Sequence, residues 1–290
     1  MKLASPSETN LLEAIRALVP GARNRTLRLM LQHGRVRING EITKVAAQRV
    51  APGDVVEIVD QGESRPPIRG LQIVYEDKDL LLVEKPAGLL TVATEHEQER
   101  TAYAYLRQHL KKRDPRQRLF IVHRLDKFAS GVLVFAKTES IKARLQALFS
   151  SHNIQRKYWA IVEGRVQEDR GTIRSYLAEN RAGRMHSTED AMAGKMAVTH
   201  FRVLHRFAQL TALEVTLETG RKNQIRAHMA ELGHPIIGDR SYGSKLNPIG
   251  RLGLHAFLLG FKHPVLGTPV KHVTRIPPEF ARYLREAKSR

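Results

Sequence analysis

Residues 121–137 read IVHRLDKFASGVLVFAK: four polar residues, His123, Arg124, Asp126 and Lys127, stand between two apolar, strand-like runs. Charged groups at the end of a buried sheet are costly to desolvate unless they are paired, so this placement marks a candidate working site. Ser130-Gly131 is expected to form the turn that returns the chain to the sheet. Taken alone, Asp126 reads first as a turn-capping or salt-bridging carboxylate.

Outward from that segment, apolar strand-like runs fall at 71–75, 80–84, 131–136, 158–163, 198–204, 210–217, 252–254 and 257–261. Helical patterns fall at 101–112, at 139–150 behind Thr138 as N-cap, and at 222–232 before Gly233. Strands dominate, and helices do not follow each of them. That excludes a doubly wound parallel sheet and predicts an α+β domain with a mixed, largely antiparallel sheet and flanking helices. In the last of these helices Ile225, Met229 and Leu232 form the apolar stripe, with Arg226 on its border and pointing partly inward.

The stretch 61–70, QGESRPPIRG, is polar and rich in Gly and Pro. It divides a small domain (1–62) from a large one (71–290), with a linker at 63–70. In the small domain a helix over 10–19 starts at Asn10, and a second runs over 25–33 to a stop at Gly34. Val36 and Ile38 alternate with arginines, and Asn39-Gly40 signals a hairpin. The alternating strand 55–59 closes this helix-helix-hairpin unit. Five arginines, Arg23, Arg25, Arg28, Arg35 and Arg37, and no acidic residue occur between positions 23 and 40. On that reading they can share one face, either a solvated basic surface or a phosphate-binding one suited to the planar guanidinium fork.

The chain has 290 residues and a net charge of +19, which favours a polyanionic partner. It has no cysteine, which excludes disulfides and thiolate metal sites and fits a reducing cytosol. The beginning lacks the basic-then-apolar pattern of a secretory signal, and no apolar run is long enough to cross a bilayer. A cytoplasmic monomer without membrane attachment is expected. Thirteen histidines invite a metal reading, but His228 and His234 do not fit a zinc spacing, and 95–99, EHEQE, reads as a solvated turn. No metal is expected.

Four further segments give the polar cluster a context. They are QRKYWAIVEG (155–164), with Tyr158 near the head of a strand, LETGRKNQIRAHMAELGHPIIGDRSYG (217–243), and the closing stretches RLGLHA (251–256) and HPVLGTPV (263–270). Together with HRLD they resemble the RluA-type pseudouridine synthase family over most of 70–280. NRTLRLMLQHGRVRINGE followed by PGDVVEI resembles the alpha-L RNA-binding motif, a common companion of that catalytic domain. The resemblance implies isomerisation of uridine to pseudouridine in structured RNA, without a cofactor. It implies Asp126 as the essential carboxylate, Tyr158 as the active-site aromatic residue and Arg226 as its basic partner. It further implies that Arg124 fills the gap left when a uridine is extruded from an RNA helix; as a bare sequence feature, Arg124 in a salt bridge is equally plausible. An adjacent Arg226 is expected to lower the pKa of Asp126 and keep it ionised.

The chain departs from the family pattern at two places. Phe128-Ala129 stands where many relatives have Asp-Thr, which puts the loop's hydrogen bonding and substrate choice in doubt. Asn223 stands where His is frequent. Ribosomal RNA of the large subunit is favoured as the target, with transfer RNA as the other possibility. Two other classes compete: an RNA-binding assembly factor with an inert large domain, and a metal-dependent nuclease, which would need clustered carboxylates that the sequence does not offer.

Overall fold

A computed structural model describes residues 1–32, 35–58, 70–95 and 97–288. The expected linker, apart from Gly70, and the expected helix stop at Gly34 lie outside the described residues. The chain divides into two compact units, one of Met1–Ile68 with Gln108–Pro115, the other of Arg69–Arg107 and Arg116–Arg290.

The smaller unit contains β1 (Lys2–Ala4), β2 (Thr9–Asn10), α1 (Leu11–Leu18), α2 (Asn24–Gln32), β3 (Val36–Ile38), β4 (Glu41–Ile42), β5 (Arg49–Val50) and β6 (Val55–Ile58). Asn10 caps α1, its side chain accepting from the Glu13 backbone N–H at 3.0 Å. Leu11, Ile15, Leu27 and Leu31 from the two helices bury against Val36, Ile38, Val56 and Ile58 of an antiparallel sheet ordered β1-β6-β3-β4. Asn39 and Gly40 both have positive φ, 51° and 89°, as a two-residue hairpin turn that follows strand twist requires.

The rest of the chain forms β7 (Gln72–Glu76), β8 (Leu80–Lys85), α3 (Ala102–Arg113), β9 (Phe120–Ile121), β10 (Ser130–Ala136), α4 (Glu139–Ser150), β11 (Gln155–Glu163) and β12 (Arg170–Glu179). It continues with β13 (Met185–Thr188), β14 (Lys195–Arg206), β15 (Leu210–Leu217), α5 (Gln224–Glu231), a 3-10 turn (Arg240–Tyr242), β16 (Leu254–Lys262), β17 (Pro269–Val273) and α6 (Pro278–Lys288). One sheet, ordered β13-β12-β14-β15-β11-β16-β10-β8-β7 with β17 on β16 and β9 on β10, takes up every strand of this unit. Its pairings are antiparallel except for β10 with β16. The expected α+β class holds. No helix among the described residues is long and apolar enough to cross a membrane.

β10 carries the core: all seven of its residues are buried. On one side of the sheet Val132 and Val134 join Leu82, Leu259 and the Ile141 and Leu145 stripe of α4, whose N-cap is Thr138 as expected. α6 lays Phe280, Tyr283 and Leu284 against Ile161 and Ile237. Of the two expected runs at 252–254 and 257–261, Leu254 and the whole of the second belong to one strand, with buried His255 and Ala256 between them, while Leu252 and Gly253 precede it.

Ser130-Gly131 is a correction. The two residues open β10 rather than forming a turn, in parallel register with His255 and Ala256. Gly131 has φ 118°, and a Cβ there would lie 2.1 Å from the Ala256 carbonyl oxygen. Only glycine permits that backbone approach. Gly131→Ala should therefore cost about 3 kcal/mol or more of stability in urea unfolding, or leave no soluble protein. Gly267→Ala, also at positive φ (70°) but with open space around it, should cost about 1 kcal/mol.

Candidate active site

Asp126 sits in the loop between β9 and β10, and that loop is fixed from beneath. Thr91 Oγ1 donates to the Leu125 carbonyl at 2.8 Å and accepts from the Leu125 N–H, gripping the peptide just before the aspartate. Lys85, buried at the end of β8, donates through Nζ to the carbonyls of Leu89, Ala129, Pro86 and Lys127 at 2.7, 2.6, 3.0 and 3.2 Å. Burial pulls its ammonium pKa down to about 7, against the opposing attraction of Asp126. The loop cannot shift without breaking this cage.

The four polar residues of the opening segment separate in space. His123 Nε2 accepts from the Val134 N–H at 3.1 Å, and its ring packs on Phe149. Desolvation pushes its pKa down to about 3, so it is a neutral structural group. Lys127 lies over the exposed ring of Phe128, outside the cleft lining. Of the four, Asp126 and Arg124 are the charged pair that face the cleft.

Asp126 and Arg226 come together, with Asp126 Oδ2 3.7 Å from Arg226 Nη1. Arg226 has a closer partner that the sequence reading did not single out. Its Nε and Nη2 donate to both oxygens of Asp239 at 2.7 and 2.8 Å, and Asp239 is buried. Nη1 also donates to Asn223 Oδ1 at 3.0 Å. Asn223 precedes α5 in the left-handed region, φ 50° and ψ 21°, which asparagine tolerates better than most residues. The signal for Asp239 was present, since it follows Gly238 in the GDRSYG stretch, but nothing local in the sequence pairs it with a residue thirteen positions earlier.

No hydrogen bond reaches Asp126 among the described residues, and its side chain is 24% exposed. Its pKa is raised, not lowered as expected. Desolvation is the larger influence, and Arg226, Arg124 and Lys85 oppose it without overcoming it. The physical reason is the 3.7 Å gap: Arg226 spends its short, charge-assisted bonds on Asp239.

Tyr158 lies on β11 where the register with β16 slips by one residue, and only 8% of it is exposed. Burial raises its phenol pKa, Arg156 opposes, and the charge of Asp126 adds to the rise. It lines a cleft of about 610 Å³ with Arg124, Asp126, Arg156, Asn223 and Arg226, within the ~300–1,000 Å³ of small-molecule sites. On α5, Ile225 and Met229 are buried as expected, whereas Leu232 is 38% exposed because the helix ends before it. Buried Gln224 ties the helix to Val198 and Thr199, and His228 is bonded by the hydroxyls of Thr199 and Ser175.

In the smaller unit Arg23, Arg25 and Arg28 are exposed, while Arg35 and Arg37 are half-buried. Among the described residues, one group has the composition of a metal site, Asp77, Asp79 and His263. His263 Nδ1 accepts from the Val265 and Leu266 N–H groups, so Nε2 carries the proton and donates to Asp77. Asp77 in turn accepts from the Asp79 and Leu80 N–H groups and from the Tyr75 hydroxyl. Asp77 and His263 are thus satisfied within the turn and the histidine offers no lone pair to a metal, whereas Asp79 Oδ2 is buried without a hydrogen-bond partner among the described residues.

The sequence matches the family RNA pseudouridylate synthase over residues 79–231 and the S4 domain over residues 22–56. It is 32% identical over 295 residues to the ribosomal large subunit pseudouridine synthase D of Pasteurella multocida (strain Pm70), covering 96% of this chain and 90% of that protein. The uncharacterized RNA pseudouridine synthase YlyB of Bacillus subtilis (strain 168) is 35% identical, over 89% of this chain and 87% of its own. Among solved structures, human RNA pseudouridylate synthase domain containing 4 superposes with a TM-score of 0.62 at 26% identity, covering 74% of this chain and 92% of that one. An isolated carboxylate beside a braced guanidinium, on a sheet shared with such relatives and following an S4 domain, places the chain in the RNA pseudouridylate synthase family.

Proposed function

We propose that this enzyme isomerises uridines of large-subunit ribosomal RNA to pseudouridine with Asp126 as the reacting carboxylate. The observation that supports this most is the state of Asp126: desolvated, free of hydrogen bonds, and faced by a cation that does not bind it tightly. The ribosomal target follows from the name of the Pasteurella relative.

The reaction breaks the bond from the ribose anomeric carbon to uracil N1 and remakes it to C5, where the displaced hydrogen leaves as a proton. Nothing is oxidised or hydrolysed overall, so the chemistry requires no redox cofactor. A carboxylate serves either as a nucleophile or as the counter-charge to a sugar cation, as in glycosidases. Attack on the sugar, attack on the base and a glycal route all fit this geometry. Tyr158, kept protonated by its surroundings, suits stacking or positioning better than proton abstraction. Arg124 lines the cleft and is exposed, which supports its filling the space a flipped uridine vacates. The S4 arginines supply phosphate contacts.

RNA carrying tritium on uracil C5 separates the readings. Wild-type protein with EDTA should release label and leave the strand intact; an inert binder releases none, and a nuclease shortens the RNA. Asp126→Asn should abolish release while RNA affinity changes by less than about threefold, because phosphate contacts dominate binding. Retained turnover in that variant removes Asp126 from the chemistry.

The working form is the anion, so turnover should be lost as pH falls through the folded-state pKa, which burial has placed above the ordinary carboxylate value. Arg226→Gln removes an opposing charge and should move the acid limb of kcat further up in pH. A limb that stays in place or moves down would show that Arg226 does not act electrostatically on Asp126.

Arg23→Ala, Arg25→Ala and Arg28→Ala combined should weaken RNA binding and flatten its log–log salt dependence by about 2 units. An unchanged slope in filter binding would take these residues out of the interface.

A further inference from the structure

The turn joining β12 to β13 carries a cation that none of the roles above uses. Asn180 and Arg184 close this turn: the Asn180 N–H donates to the Arg184 carbonyl at 2.8 Å, and Asn180 Oδ1 accepts from the Ala182 and Arg184 N–H groups at 3.0 Å each. Gly183, at φ 74°, makes the reversal possible. The backbone of Arg184 is thus fixed from its own turn.

Its side chain meets a ring from elsewhere in the chain. Arg184 Cζ lies 5.0 Å from the ring centroid of Tyr242, and Arg226 Cζ lies 4.8 Å from the same ring. Tyr242 is buried, and its hydroxyl accepts from the Met185 N–H at 3.0 Å. Lys222 pairs with Glu179, and Glu231 accepts from the Ser187 N–H at 2.6 Å, so the hairpin is fastened just before α5 and at its last residue. One aromatic ring therefore connects the hairpin turn to the guanidinium that faces Asp126.

Charge balance at this ring is incomplete. Arg226 has Asp239, and Lys222 has Glu179. Arg184 is exposed, and among the described residues its guanidinium has neither an acidic partner nor a hydrogen-bond acceptor. A guanidinium drawn to an aromatic ring by cation–π attraction keeps its N–H donors free, and its fork matches the oxygens of a phosphodiester.

We propose that Arg184 is a phosphate-binding residue for the substrate RNA, seated on Tyr242 so that the strand flanking the target uridine is held at a fixed offset from Asp126. This rests on the RNA-isomerase reading. Arg184 works through binding, and the reacting atoms belong to Asp126.

The test uses the full chain and an in-vitro transcript of large-subunit ribosomal RNA labelled with tritium on uracil C5. Arg184→Ala should raise KM about tenfold with kcat changed less than about twofold. In an Asp126→Asn background, where no turnover occurs, it should flatten the log–log salt dependence of binding by about 0.7–0.9 units. Arg184→Lys, which keeps the charge without the fork, should raise KM by about threefold. The unfolding temperature should stay within about a degree; where Arg184→Ala does not fold, Arg184→Gln replaces it. An unchanged KM and slope overturn the proposal. A loss confined to kcat also overturns it, since Arg184 would then be acting through Arg226. An equal flattening in Arg282→Ala, an exposed arginine of α6, overturns it in favour of bulk charge. If wild type releases no tritium, the isomerase reading fails, and the binding slope still decides the role of Arg184.

Discussion

The cleft depends on how Arg226 divides its hydrogen bonds. Two of its nitrogens are committed to Asp239 at 2.7 and 2.8 Å, and the third meets Asn223 at 3.0 Å and Asp126 at 3.7 Å. In a uniform dielectric the attraction at 3.7 Å is roughly a quarter weaker than at 2.7 Å, and the hydrogen-bond contribution is gone altogether. Asp126 therefore feels enough positive charge to offset part of its desolvation, while both its oxygens keep their lone pairs. A direct Asp126–Arg226 bridge would stabilise the carboxylate more and leave it less reactive. Asp239 prevents that bridge by holding the guanidinium from behind.

That arrangement needs two rigid supports. On one side, Lys85 gathers four carbonyls beneath the Asp126 loop, and its burial is tolerable because each of its hydrogens meets an oxygen. On the other side, Gln224 and His228 anchor α5 to β14, fixing the helix that presents Arg226. The parallel pairing of β10 with β16 brings the backbone at Gly131 against Ala256, five residues beyond Asp126. Sheet register and loop position are thus set by the same contact.

Much of this was legible in residue order, and most of the exceptions depend on contacts that residue order does not carry. Local signals carried through: Asn10 and Thr138 as caps, the Asn39-Gly40 turn, the apolar runs of β8, β10 and β15. β12 and β13 escaped because they form one edge of the sheet, where half-exposed strands show no apolar run. α6 went unread although Phe280, Tyr283, Leu284 and Ala287 form a visible stripe. At the site, Asp126 and Arg226 stood out through motif. Asp239 and Lys85 act through partners distant in sequence or through backbone carbonyls, which carry no side-chain signature. The direction of the Asp126 pKa depended on a distance and a degree of burial, neither of which residue identity encodes.

Phe128-Ala129 illustrates the same distinction. Replacing an Asp-Thr pair raised doubt about the loop's hydrogen bonds, yet the bonds that hold this loop use the carbonyls of Lys127 and Ala129 and the peptide of Leu125. None of those groups belongs to the side chain of residue 128 or 129. Ala129 fills a buried position, 2% exposed, where a hydroxyl would need a partner of its own. Phe128 is 53% exposed, with Lys127 over its ring at 5.4 Å. The bonds that place Asp126 therefore do not use the side chains at 128 and 129, and the loop's outer surface carries an apolar ring with a cation above it.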